Sequence, residues 1–228
     1  MHPKYGETWV YESLVGTIPG IRLSPGRAIA VQIGAFETAV LGVAAWFDLW
    51  NAVPAATAAV VVAGIGSWLM LVFSRRVRAI DTPKPYRRLL FGSSIEVALG
   101  VVAFVLFVTY LFVLDPGDGE PTLLAAILGP DPPAPAVFLL LLICWDVVYR
   151  IGTCWWATLV GLWRALRYDF GPETASQLRR VDSLNVAFAG VQLLLLPFVL
   201  THPALIVALS GHLIAVVVVA SLSVALQR

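Results

Sequence analysis

Apolar residues fall in six blocks of eighteen or more, separated by short segments rich in glycine, proline or charge. At 1.5 Å per residue, each block is long enough to cross or nearly cross a hydrocarbon core of roughly 30 Å. The pattern predicts transmembrane helices over about 28–50, 53–74, 89–114, 136–166, 183–200 and 203–226. Trp46 and Trp50 flank Asp48 at the end of the first block, as in an interfacial aromatic belt. Asn51 to Pro54 is read as a tight turn, with Pro54 in the first turn of the second helix.

The connections are as informative. The apolar insert Leu123 to Leu128, within the acidic and proline-rich stretch 115–135, is too short to span and is expected to form a surface turn of helix. The fourth helix, about 46 Å long, outruns the membrane, so Arg164 and Arg167 are expected to stand in the cytoplasm. A short helix ending near Arg179 and Arg180 is expected before the fifth span, and Pro197 predicts a kink near its outer end. Residues Met1 to Pro25 lack the apolar core of a secretion signal, so the first transmembrane helix is expected to lead insertion.

Composition makes lipid the solvent. The chain is 59% apolar and 13% charged, where a soluble protein carries roughly 25% charge, and its mean hydropathy is +0.86. The expected fold is all-α: one six-helix transmembrane domain over 27–228 behind a cytoplasmic or interfacial segment 1–26. A net charge of +1 gives no reason to expect a nucleic-acid partner. The distribution of charge is more telling. Of fifteen Lys and Arg residues, all but Arg150 lie in the N-terminal tail, the second or fourth connection with its flanking turns, or the C-terminus. The positive-inside rule then places both termini in the cytoplasm of a cell-membrane protein. Arg75, Arg76, Arg87, Arg88, Arg179 and Arg180 become candidates for contact with anionic lipid head groups. The excess of Arg over Lys (thirteen to two) and the abundance of Ala, Val and Gly suit a high-GC prokaryote. Three hairpins can be drawn, each opened by basic residues and followed by Glu37, Glu96 or Asn185, but their mutual identity is too thin to define a repeat.

Candidate chemistry sits where polar groups are costly. Glu37, Glu96, Asp146, Arg150 and Gln192 are placed about 9 to 15 Å inside the membrane, with His212 on the sixth helix. An ionised side chain there costs about 2.5–3.5 kcal/mol on insertion scales, so each should face other helices. Asp146 and Arg150, at i and i+4, can pair on one helix face. Three carboxyls then share the slab with one permanent cation, and the remainder must be neutral, hydrogen-bonded or bound to a cation. These six residues are therefore candidates for proton-coupled or cation-coupled movement of a small solute or ion. The competing reading is a satisfied structural network in which Asp146 pairs with Arg150, Glu37 and Glu96 are neutral acids hydrogen-bonded to Gln32, Gln192 or backbone, and His212 is a hydrogen-bonded core histidine. His202 is expected at the interface.

Two further functions compete: a lipid-modifying enzyme using Arg87, Arg88, Arg179, Arg180, Asp81 and Asp182, and a non-catalytic accessory subunit. Transport would call for a water-accessible cavity reaching Glu37, Glu96 and Arg150, the enzyme for a basic interfacial pocket, and the subunit for no cavity. Small residues at spacing four on the first helix, Ala30, Gly34, Thr38 and Gly42, suit close helix packing, within the chain or between copies. Cys144 and Cys154 are about 15 Å apart along one helix and cannot bridge. No catalytic residue, cofactor or metal site is expected: HExxH, G-x-S-x-G, Walker A and a carbonyl selectivity filter are absent, and no transmembrane segment holds a Lys for a retinal Schiff base.

Overall fold

A computed structural model describes Trp9, residues 24–115 and residues 121–227. The other residues of the N-terminal tail, and the acidic residues Asp118 and Glu120, lie outside that set. Helix is the sole regular structure among the described residues. The elements are α1 (Pro25–Phe47), α2 (Val53–Ala79), α3 (Lys84–Gly92), α4 (Ile95–Thr109), α5 (Leu123–Leu128), α6 (Ala134–Arg167), α7 (Pro172–Gln192) and α8 (Pro203–Leu226). With their flanking turns they make six spans long and apolar enough to cross a membrane.

Local chemistry explains the ends. Ser24 caps α1, its hydroxyl accepting from the Arg27 amide at 3.4 Å. Asp48 closes α1 in the left-handed region, φ 56°, and a 3-10 turn, Trp50–Ala52, swings the chain into α2. Trp46 and Trp50 stand exposed at this end.

Three expected helices differ from those observed. The third span starts earlier, at Lys84, and breaks at Ser93 and Ser94. Ser94 takes φ 55°, a conformation that costs a residue with a Cβ about 1–2 kcal/mol, and the break places Glu96 in the first turn of α4. The short helix expected before the fifth span is instead continuous with it, because nothing after Pro172 interrupts the ladder until Gln192. Beyond Gln192 the chain tightens into a 3-10 segment, Leu193–Phe198, which includes Pro197, a residue with no amide hydrogen to donate.

The long helix α6 is the hub, packing on α1, α2, α4, α7 and α8. Its closest approach is to α4, where a Cβ added to Gly152 would sit 3.0 Å from the Gly100 nitrogen. Gly66 of α2 is similarly enclosed, by Phe188 and the Arg150 side chain. The small stripe of α1 behaves otherwise: Ala30, Gly34, Thr38 and Gly42 face away from the bundle, and α1 docks through Ile33, Phe36, Val40 and Ala44. Aliphatic bulk buries more apolar contact than the small side of the same helix can.

Candidate functional site

Three polar or hollow regions lie along the bundle. The first is at mid-span. Arg150 is fully buried on α6 and donates to Asp146 Oδ1 at 2.5 Å; Gln32 of α1 donates to Asp146 Oδ2 at 2.8 Å. Arg150 also reaches the Met70 sulfur at 3.9 Å. Glu37 is half-buried and accepts from Thr57 at 3.1 Å. Glu96 is fully buried, and no side chain among the described residues hydrogen-bonds its carboxyl, which lies against its own backbone amide. Gln192 is likewise buried with its amide unpartnered among the described residues. The structure therefore joins Asp146 and Arg150, while Glu37, Glu96, Gln192 and His212 are not hydrogen-bonded to them or to each other. Gln32 serves Asp146, not the two glutamates.

The second region is the basic end of the bundle. Arg164 is fully buried within the protein, where α3, α7 and α8 close over it. It donates to Asp182 Oδ2 at 2.7 Å and to the Tyr86 hydroxyl at 3.0 Å, and its guanidinium lies 5.1 Å from the Tyr86 ring centre. Ser223 and Gln227 donate to the same Asp182 oxygen at 2.8 and 2.7 Å. Gly161 makes room for the carboxylate; a Cβ there would stand 3.2 Å from Asp182 Oδ1. Three donors, from α6, α8 and the C-cap of α8, converge on Asp182 Oδ2, which makes this carboxylate a clasp between helices. Around this clasp, Arg75, Arg76, Arg88 and Arg180 are exposed and Arg87 is half-exposed. Arg179 bonds the Gln227 carbonyl at 2.8 Å, which stitches α7 to the end of α8.

The third region is a half-open cavity of about 430 Å³ in the half of the bundle away from the basic end. Val40 on α1, Ala56 and Ala59 on α2, Ala103 on α4 and Ile143 on α6 are in its wall, to which α5 contributes Leu123 and Leu128. Among the lining residues only Cys144 and His212 bring a side-chain polar atom. Runs of alanine at 52–59 leave the volume empty where larger side chains would fill it. His212 packs edge-on against Trp155, ring centres 6.2 Å apart, and its Nε2 has no hydrogen-bond partner among the described residues. At the rim, Asp115 accepts from the Tyr110 hydroxyl at 2.9 Å and the Leu123 amide at 2.5 Å, and pairs with the buried His202 at 3.1 Å. His202 is thus bound into the bundle and ties α8 to α5 through Asp115.

Sequence reasoning located the mid-span ionisable residues but missed the clasp and the cavity. A sequence signal existed for the clasp, in the small residues Gly161 and Ser223, which allow close approach. Both cysteines are free thiols, and no group of three or more His, Cys, Asp or Glu among the described residues could hold a metal ion.

No curated protein and no solved structure matches the chain. A model of a family of unknown function (DUF7530) matches residues 4–223, nearly the full length, and this six-helix protein belongs to that family.

Proposed function

We propose that the protein binds an apolar, membrane-soluble molecule within its helix bundle. The observation that carries this reading is the 430 Å³ cavity, whose wall is almost wholly hydrocarbon. Ligand sites fall in about this range, roughly 300–1,000 Å³, and are mostly apolar with few placed polar groups. A pocket walled by aliphatic side chains favours apolar guests over water. Scaling from the roughly 150 Å³ that accommodates benzene, the space suits a guest of roughly 17 carbon atoms.

Photolabelling tests it. In lipid vesicles, an alkyl diazirine of about fifteen carbons should label wild-type protein within Ile143–Ile151 of α6. Ala56→Leu and Ala103→Leu each reduce the void, so labelling there should fall several-fold while thermal stability stays level or rises by about 1 kcal/mol. Equal labelling of wild type and both variants would remove the reading.

A second reading, movement of a proton or cation, is favoured by Glu96. A charge on that buried carboxyl would meet no side-chain donor among the described residues, only its own backbone amide, and a sparsely compensated intramembrane carboxyl is the kind that exchanges protons in membrane carriers. Glu96→Gln should then abolish proton flux in reconstituted vesicles; flux equal to wild type would discard this second reading and leave the cavity untouched.

A further inference from the structure

We infer that the cavity takes one acyl chain of an intact bilayer lipid, which enters sideways past Ala208 on α8 while its head group stays outside the bundle. The inference rests on the cavity reading above and names its ligand. The void is long and narrow. Its wall follows α6 from Ala136 to Ile151, about 22 Å at the helical rise. Spread over that length, 430 Å³ gives a mean cross-section of about 20 Å², close to that of a single hydrocarbon chain whose carbons keep contacts of roughly 3.5–4.0 Å. Two chains abreast, or a fused ring system, would be too wide.

Exposure locates the mouth. Ala44, Ala52 and Ala136 are in the wall and only 3%, 8% and 3% exposed, so bordering the void does not by itself expose an alanine. Ala208 borders the same void and is exposed. It is the sixth residue of α8, about 8 Å from the start of the helix, and Ala204, Val207 and Gly211 around it are exposed as well. Since α8 contains no Asp, Glu, Lys or Arg, this side of the bundle faces hydrocarbon, and the mouth opens to lipid chains, not to water. Those chains are the solvent there and outnumber any free guest, so mass action fills a site of their width with them. The head group has no such path: no Asp, Glu, Lys or Arg is in the wall, and an unpaired charge brought inside would be strongly disfavoured.

A photoreactive phospholipid separates the two levels of the proposal. The probe is a phosphatidylcholine with a diazirine near the methyl end of one acyl chain, present as a minor component of vesicles of unlabelled phosphatidylcholine. It should label wild-type protein within Ile143–Ile151 of α6, and the same lipid with its diazirine beside the ester should label that segment several-fold less, because the ester end stays outside. Ala208→Trp puts an indole in the mouth and should cut labelling by the chain-end probe several-fold. Val207→Trp is the control: Val207 is 72% exposed and outside the wall, so the same bulk there should leave labelling unchanged. Should Ala208→Trp fail to fold, the contrast between the two probes in wild type decides. Equal labelling of Ala208→Trp and Val207→Trp, or equal labelling of the segment by the two probes, would overturn the inference. Labelling by the free alkyl diazirine but not by the phospholipid would also overturn it, and the apolar cavity reading would stand. Labelling by neither would overturn both.

Discussion

Asp182→Asn should lower stability by about 3–5 kcal/mol, the usual cost of removing one partner from a buried ion pair. Arg164 is fully buried, and its counter-charge comes from Asp182 at 2.7 Å. Asparagine preserves shape but not charge, so the guanidinium would be left with the neutral Tyr86 hydroxyl and an amide. The same change weakens the acceptor that Ser223 and Gln227 share, loosening the end of α8. A double variant, Arg164→Met with Asp182→Leu, should recover most of the loss, since the charges are expensive to bury and packed apolar groups are not. Unfolding in mixed detergent micelles measures both. A single variant within 1 kcal/mol of wild type would show that the clasp is not a stabilising ion pair.

That clasp marks where sequence reading stops. The six spans were legible because hydrophobic length is a one-dimensional property, and bilayer thickness converts it directly to structure. The Asp146 and Arg150 pair was legible for a similar reason: four residues on one helix fix a shared face. Arg164 and Asp182 are eighteen residues apart on two helices, and no periodicity relates them. Arg164 also lies in the last turn of a helix longer than the membrane, which suggested solvent; only the fold of α3 and α8 around it reveals burial. The cavity was illegible for a different reason. Alanines at 52–59 permit close helix contact and empty space equally well, and only the positions of α4, α5 and α8 decide between them. On α1 the same ambiguity ran the other way, since its small stripe suggested a buried seam and points outward.

Trp9 supplies the other large effect, in a tail whose sequence predicts only an interfacial location. Its ring is 1% exposed and stacks on Phe73 with centres 5.6 Å apart, with Phe91 edge-on at 5.2 Å. Its indole Nε1 donates to the Leu90 carbonyl at 3.1 Å, eighty-one residues along the chain. The ring thereby bridges α2 and α3, beside a small gap bounded by Gly66, Thr153 and Asn185. Trp9→Ala should cost about 3–5 kcal/mol, the range for deleting a large buried aromatic side chain. Trp9→Phe should lose the hydrogen bond and part of the contact area, for about 1–2 kcal/mol. The contrast between the two identifies the source of the energy: if packing dominates, alanine is far worse than phenylalanine; if the hydrogen bond dominates, the two converge. Thermal unfolding in detergent supplies the comparison, and a Trp9→Ala protein as stable as wild type would mean that this ring covers the bundle without holding it together. Since α3 also supplies Tyr86 to the clasp, loosening α3 through Trp9 should make Asp182→Asn less costly in the Trp9→Ala background than alone. Such non-additivity is expected of residues that act through one shared element.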